Sequence, residues 1–359
     1  MSYRNGKKIG VLVVLLLIAL TITGCNSTGN DPEEAQDTYI TKTISSVEEF
    51  DKVLANLKED DKAIITLEGS YENKIEINDS YTFSELTLKA NKKHEAVISN
   101  EISFENTKNV TLKDFIIEKS KNNGIVINQS ENISLENNII RDNNYFGILV
   151  LKSNLVIIEN NDVKNNGLEE EYPGIKIENE SEVEIINSNK IANNKGNGIF
   201  VKNSKANIKN SLISDNSVAG VNSKSSTVTA ENNTILNNEN RGLSIYDGST
   251  AAIEGNEIAN HSNDYSQGIG LANSDVNIND NNIHDNTMGI VYSNIKAVDY
   301  GNEKIVNNQF KNNDIQVIHY IESQEKPTLL KNIYENNTFE PESDIVKRDD
   351  LGWNIEPIN

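Results

Sequence analysis

A column of asparagines recurs along this chain at intervals of 22 to 29 residues. Each member lies two residues before an apolar residue, and serine takes the place of asparagine once. The members are Asn138, Asn161, Asn189, Ser211, Asn233, Asn256, Asn281, Asn308 and Asn337. A repeat of this length that keeps a polar position in phase predicts a solenoid, in which stacked coils bury their apolar faces against one another.

Two further patterns lie in phase with this first polar column. The second polar column is Asn143, Asn166, Asn194, Asn216, Asn238, His261, Asn286 and Asn313. A pair of glycine and an apolar residue also recurs, at Gly124-Ile125, Gly147-Ile148, Gly174-Ile175, Gly198-Ile199, Gly220-Val221, Gly242-Leu243, Gly268-Ile269 and Gly289-Ile290. Three short segments of alternating polarity per repeat predict three strands per coil, each with one buried face.

Coils that stack at about 4.8 Å would pair all three strands and build one continuous apolar core. Ten apolar positions in phase, starting from Ile116 two residues after Asp114, predict about ten regular coils and a rod roughly 50 Å long. We expect the asparagines to adopt left-handed backbone angles where the chain turns. We also expect their amides to bond to the backbone or to the asparagine one coil away.

A leucine-rich repeat is the structural alternative, because Ile133-x-Leu135-x-x-Asn138-x-Ile140 matches part of its consensus. That consensus requires an apolar residue where this chain has Ser130, and it has no place for the glycine-apolar strand. The patterns therefore favour a β-helix.

The repeat Asn-x-Ile-x-x-Asn, followed by Gly-Ile-x-Val, Ser and Val-x-Ile, resembles the pectate-lyase-like superfamily and especially its carbohydrate-binding and sugar-hydrolase branch. The resemblance covers roughly residues 96–340 and implies an all-β, single-stranded, right-handed parallel β-helix of about ten three-strand coils. Residues 38–95 are predicted to form an N-terminal cap and first coils. There Ser46 and Glu49 have capping-box spacing for a short helix, which precedes a first strand from Ala63 to Leu67. Residues 341–359, with Trp353, would form a C-terminal cap or tail.

The first residues are typical of secretion. A basic front precedes an apolar run, Ile9 to Leu20, that is short for a membrane span. Ile22-Thr23-Gly24-Cys25 then resembles a bacterial lipobox, which implies a lipoprotein signal peptide over 1–24, a lipid on Cys25 and a tether over 25–37. The alternative is a cleaved signal followed by an incidental cysteine. The expected location is the bacterial cell membrane, lipid-anchored and facing the extracytoplasmic side.

A formal charge of −21 argues against nucleic acid as a partner. Members of the pectate-lyase-like superfamily, which this repeat resembles, often bind glycans along the outer face of one row of strands. By strand alternation in the glycine-apolar row, two outward columns are expected: Lys176, Phe200, Asn222 and Ser244 in one, and Glu178, Lys202, Lys224 and Tyr246 in the other. Lysines suit sugar carboxylates and rings suit sugar faces, which makes Lys176, Phe200, Lys202, Lys224 and Tyr246 the predicted substrate-binding residues. Ordinary solvated strand residues are the alternative.

Extra residues precede this row at Leu168 to Pro173 and at His261 to Gln267, and such loops commonly carry binding groups. His261 near Asp264 has the chemistry of a general acid or base, although histidine could equally fill an asparagine slot. Glu178 and Lys202 complete the catalytic candidates.

No complete catalytic motif of a polysaccharide lyase, pectin hydrolase or alginate epimerase is present. Neither a metal site nor a cofactor is identified, and no motif supports Ca²⁺. The sequence therefore predicts a surface lipoprotein that binds an extracellular, acidic polysaccharide, and leaves its cleavage by lyase or hydrolase chemistry open. The alternative is a non-enzymatic structural or adhesion rod.

Overall fold

The computed structural model of the protein describes residues 38–168, 171–294, 304–321, 334–340, 346–348 and 355–357. The predicted signal peptide, Cys25 and the tether lie outside these ranges, as do Glu169, Glu170 and Trp353. Within them, no helix has the length and apolar character that crossing a membrane requires.

The described chain winds into three sheets, and each coil contributes one strand to each sheet. Sheet 1 consists of Tyr39–Ile44, Lys62–Leu67, Glu85–Ala90, Lys108–Lys113, Glu131–Glu136, Asn154–Glu159, Glu182–Ile186, Lys205–Lys209, Thr227–Glu231, Thr250–Glu254, Asp275–Asn279, Lys304–Val306 and Tyr334–Glu335. Sheet 2 consists of Ser70–Tyr71, Val97–Ile98, Ile116–Glu118, Ile139–Arg141, Asp162–Lys164, Lys190–Ala192, Leu212–Ser214, Thr234–Leu236, Glu257–Ala259, Asn282–His284, Gln309–Lys311 and Thr338–Glu340.

Sheet 3 carries the glycine-apolar pairs. It consists of Ile75–Asn78, Ile102–Glu105, Ile125–Asn128, Ile148–Leu151, Ile175–Glu178, Ile199–Lys202, Ala219–Lys224, Arg241–Tyr246, Gln267–Ala272, Met288–Asn294, Ile315–Ile321, Val346–Arg348 and Ile355–Pro357. Pairing is parallel throughout these sheets except between the last two strands of sheet 3, which are antiparallel. The prediction of an all-β parallel solenoid with three strands per coil is confirmed, and the leucine-rich alternative is wrong.

The twelve strands of sheet 2 correspond to about twelve turns. Ten of these strands begin at Ile116 or later, which matches the predicted number of regular coils. The starting residue was off by one, because Ile117 pairs with Ile140 and is fully buried while Ile116 is partly exposed. Of the two additional turns, one has its sheet 2 strand, Ser70–Tyr71, in the predicted cap region, and the other has Val97–Ile98 just beyond it; no ladder asparagine marks either strand.

One short helix, Val47–Leu54, closes the N-terminal end of the described coils. The side chain of Ser46 accepts the backbone N–H of Glu49 at 3.2 Å, as the capping-box spacing predicted. Phe50 and Leu54 are buried in the same apolar core as the strands. A strand that the sequence did not reveal, Tyr39–Ile44, precedes the helix and pairs with Lys62–Leu67.

The regular coils turn at three corners, and each corner carries a column of polar side chains. At the first polar column, Asn138 is buried and its Oδ1 accepts the backbone N–H of Phe115 one coil earlier, at 3.0 Å. Its own backbone N–H is accepted by Asn161 Oδ1 at 2.8 Å. The second column repeats this pattern, for example from Asn143 to Asn166 at 3.3 Å. The predicted amide ladders are therefore confirmed, and they satisfy buried backbone donors that strand pairing leaves open.

The left-handed backbone angle belongs to the residue before each ladder position. Asn137 has φ of 54° and Asp142 has φ of 56°, whereas the ladder asparagines themselves do not have positive φ. The expectation that the ladder residue would adopt this angle was wrong. The two roles fall on neighbouring residues because the left-handed residue makes the turn with its side chain pointing outward. The next residue then directs its side chain into the core.

The third corner carries a ladder of serines that the sequence analysis did not recognise as one. The Oγ of Ser153 accepts the N–H of Ser130 at 3.0 Å, and the Oγ of Ser181 accepts that of Ser153 at 3.1 Å.

The first polar column is interrupted once, where the Oγ of Ser211 donates to the carbonyl of Lys209 at 3.0 Å.

Candidate functional site

The outer face of sheet 3 carries the two predicted columns, and strand register places them as expected. Lys176 lies opposite Phe200, which lies opposite Asn222. In the other column, Glu178 lies opposite Lys202 and Lys224 opposite Tyr246. Adjacent members are separated by one strand spacing, about 4.8 Å. The five predicted substrate-binding side chains therefore share one stripe of surface, here named the lysine stripe (Lys176, Phe200, Lys202, Lys224 and Tyr246).

Carboxylates accompany all three lysines of this stripe. The Nζ atoms of Lys176 and Lys202 lie 3.1 Å and 3.8 Å from the carboxylate of Glu178. The Nζ of Lys224 lies 3.1 Å from Asp247. The positive charge of the stripe is therefore partly neutralised, and Glu178 and Lys202, two of the catalytic candidates, form an ion pair with each other.

Aromatic rings gather at the N-terminal end of the stripe. The ring of Tyr172, from the first predicted loop, lies 5.0 Å from that of Tyr145 and 4.9 Å from that of Phe146. The Nζ of Lys176 sits 5.0 Å from the centroid of Phe146. Tyr145 is 37% exposed, so the cluster offers an accessible ring beside a cation. Such a pairing suits the face of a sugar with an anionic substituent.

At the other end of the stripe, the outer face contains a cleft of about 370 Å³. Its floor includes Gly270 and Ala272, which continue the two columns after Ser244 and Tyr246. These outward positions carry little or no side chain where earlier coils have Phe200 and Lys202. The volume is at the small end of ordinary ligand sites.

Arg241 lines this cleft and is half-buried. Its Nε donates to Oε1 of Gln267 at 3.0 Å, and one Nη donates to the Oγ of Ser244 at 3.4 Å. Within the described part of the chain, no carboxylate forms an ion pair with it. Burial lowers the pKa of the Arg241 guanidinium, and Tyr246 offsets part of that effect.

The structure places the other two catalytic candidates in different environments. His261 is fully buried in the second polar column, where its ring nitrogens lie 2.7 Å from Asn286 Oδ1 and 3.5 Å from Asn238 Nδ2. Asp264 is exposed on the second predicted loop. Burial lowers the pKa of His261 to about 4, although the hydrogen bond to Asn286 acts in the opposite direction. The ring therefore occupies an asparagine slot as a neutral side chain.

Sequence reasoning missed Arg241 and Gly270, and it named Gln267 only as the end of the second predicted loop. A readable signal was present, because the alternation that placed Phe200 and Lys202 outward also places Gly270 and Ala272 outward in the segment Gly268-Ile269-Gly270-Leu271-Ala272. A gap in an outward column predicts a depression. Over the residues that the structure describes, no group of three or more His, Cys, Asp or Glu side chains is arranged to hold a metal ion.

The right handed beta helix region family matches residues 20–187 and again residues 171–299. Since these matches cover more than half of the sequence, the chain belongs to this family. No curated protein matches the sequence.

Several solved structures share the fold. The A-module of the mannuronan C-5 epimerase AlgE6 of Azotobacter vinelandii is similar with a TM-score of 0.55 and 14% identity, over 86% of this chain and 92% of that one. The Dettilon tailspike protein is similar with a TM-score of 0.52 and 14% identity, over 78% of this chain and 59% of that one. PfbA, a surface adhesin of Streptococcus pneumoniae, aligns with a TM-score of 0.41 and 11% identity, over 82% of this chain and 86% of that one. At these identities the likeness to the epimerase A-module and the tailspike protein establishes the fold alone.

Proposed function

We propose that this protein binds an acidic extracellular polysaccharide along the outer face of sheet 3, and that a lipid on Cys25 holds it at the extracytoplasmic side of a bacterial membrane. The observation that carries the binding proposal is the in-register lysine stripe, with aromatic rings at one end and the Arg241 cleft at the other. In the lysine stripe and the cleft, the cations are Lys176, Lys202, Lys224 and Arg241, and the neighbouring carboxylates are those of Glu178 and Asp247. A cationic, aromatic strip on a chain of formal charge −21 favours a linear anionic ligand.

The fold lends this proposal general support. The epimerase A-module is named for a polysaccharide, mannuronan, and has the same architecture along most of its length. This is an argument from fold, and a fold hosts many functions. The specific support comes from the side chains of the stripe and the cleft.

A structural or adhesion rod is the second candidate, and one observation favours it. Each stripe lysine has a carboxylate within 4.0 Å. Exposed strand lysines in such pairs are common and contribute little to any specific function. The rod would need only the regular coils, whereas binding needs the particular side chains of sheet 3.

Glycan-array binding by a soluble form that begins after Cys25 separates these candidates. The test variant is Lys176/Lys202/Lys224→Ala. The matched control is Lys113/Lys205/Lys209→Ala on sheet 1, which removes the same charge from lysines that are likewise paired with Glu136, Glu182 and Glu231. We expect the test variant to bind acidic polysaccharides about tenfold more weakly, since each partly screened contact contributes up to about 1 kcal/mol.

The control variant should bind like wild type, and wild-type binding should weaken as salt is raised. Equal loss in both variants would show a general charge effect. Absence of wild-type binding to every acidic polysaccharide would favour the rod.

The anchor is tested separately, by metabolic labelling of the full chain with a radioactive fatty acid in a bacterial host. We expect label and membrane fractionation for wild type and neither for Cys25→Ala. An unlabelled wild-type chain that is released into the medium would favour a plain cleaved signal.

A further inference from the structure

The cleft owes its shape to a glycine in the outward column. A Cβ added at Gly270 would lie 2.3 Å from Gln267 Oε1 and 3.0 Å from both Cδ and Nε of Arg241. The side chain of Arg241, from the preceding coil, and that of Gln267, from the same strand as Gly270, therefore lie directly over the bare backbone at Gly270. Any larger residue at this position would displace the Gln267 amide, to which the guanidinium bonds, and would crowd the Arg241 side chain itself.

Arg241 retains donor capacity in this place. A guanidinium carries five N–H donors, and the two bonds to Gln267 and Ser244 leave three of them without a protein acceptor among the described residues. Arg141 on sheet 2 shows the usual alternative, since its guanidinium bonds the carboxylate of Glu118 at 2.6 Å. A half-buried guanidinium without an anionic partner is an expensive arrangement unless a ligand supplies the anion.

The remaining lining adds groups of other chemistry. Asn222 borders the cleft, and its Oδ1 is buried with no hydrogen-bond partner. Tyr246 borders it as well, with the Nζ of Lys224 at 5.6 Å from its ring centroid. A ring face and free guanidinium donors together match a sugar ring that carries a carboxylate.

We infer that the cleft of Arg241, Gln267, Asn222 and Tyr246 is a subsite for a single uronate residue, whose carboxylate is bound by the guanidinium of Arg241. This inference deepens the proposed function and rests on it for the polymer to which that residue belongs. Gly270 is the residue that makes the subsite possible. The lysine stripe then binds the neighbouring sugars of the same polymer.

Calorimetric titration of the soluble chain with short uronate trimers tests the subsite. Trimers of galacturonate and mannuronate are compared with neutral trimers and with sulfated neutral trimers. Arg241→Gln removes the guanidinium, and Gly270→Ala displaces it while keeping its charge. Arg141→Gln on sheet 2 is the control with the same change of charge.

We expect a uronate trimer to bind wild type and Arg141→Gln alike, and both cleft variants at least roughly tenfold more weakly, as loss of a charge-assisted contact implies. Thermal unfolding of each variant shows that the fold is kept. Uronate binding that is unchanged in Arg241→Gln would overturn the inference, as would a preference for sulfated over uronate trimers.

The two proposals fail separately. If polymers bind through the lysine stripe but Arg241→Gln has no effect, the subsite is refuted and the proposed function stands. If trimers bind in an Arg241-dependent manner and no polymer binds, the subsite stands and the proposed function is refuted. If neither trimers nor polymers bind, both are wrong.

Discussion

The histidine in the second polar column makes the stability of the solenoid depend on pH in a way that one substitution should remove. The ring of His261 is enclosed between Asn238 and Asn286. A neutral ring with its proton on Nδ1 fits this slot, because Nδ1–H can donate to Asn286 Oδ1 at 2.7 Å while Nε2 faces the amide of Asn238. A protonated ring would place a second donor against the donating amide of Asn238, in a fully buried site.

The size of the effect follows from the pKa. Burial lowers the pKa of His261 from 6.5 to about 4. A difference of that size corresponds to about 3 kcal/mol at 25 °C. As the pH falls below 6.5, the unfolded chain takes up a proton at this residue and the folded chain does not. Stability is therefore lost between pH 6.5 and about 4, and below that range the contribution of His261 changes no further.

His261→Asn restores the residue that the column has elsewhere and cannot take up the proton. Urea unfolding of wild type and His261→Asn at pH 7 and at pH 4 measures both free energies of unfolding. Carboxylates lose stability in acid in both proteins, so the comparison isolates the histidine. We expect wild type to lose about 3 kcal/mol more than the variant. Equal losses would refute a neutral, buried His261.

Two further substitutions test the ladders and the glycine column. Ser211→Asn should complete the interrupted first column and raise the free energy of unfolding by about 1 kcal/mol, measured by calorimetry as a higher melting temperature. An unchanged or lower melting temperature would show that no hydrogen bond is missing at Ser211. Gly198→Ala should lower stability by about 2 kcal/mol in the same assay, because the added Cβ would meet the carbonyl oxygen of Gly220 at 2.7 Å. Gly270→Ala is its control, since the added Cβ there meets side-chain atoms that can move, and equal destabilisation by both would contradict the steric argument.

The fold could be predicted from the repeat because several independent signals mark each coil. Asn161, for example, is marked by its spacing, by the apolar residue two positions later and by the second column five positions later. The number of regular coils and the register of sheet 3 followed from these marks, whereas the first two turns lack them. Tyr39–Ile44 was missed because a terminal strand has no ladder residue to mark it. The offset at Ile116 arose where Phe115 takes the ladder position, so that the polar mark is absent.

The candidate site was predictable only in part. Alternation placed Lys202 and Tyr246 correctly, since it depends on a two-residue period that the buried residues impose. It could not reveal the pairing of Lys224 with Asp247, because Asp247 lies in the turn after the strand and its direction depends on the backbone there. Arg241 was overlooked because its importance comes from Gly270, one coil away, and only the stacked coils bring the two together.

The ladders also have a direction. The backbone N–H of Asn233 donates to the side-chain oxygen of Asn256, and the N–H of Asn256 donates to that of Asn281. Each coil therefore needs an acceptor oxygen from the coil that follows it in the sequence. A polypeptide that emerges from the ribosome N-terminus first would complete its coils in that same order, each newly made turn sealing the one before it. At any stage of synthesis only the most recently formed coil would lack acceptors for its corner N–H groups, whatever the length of the finished solenoid.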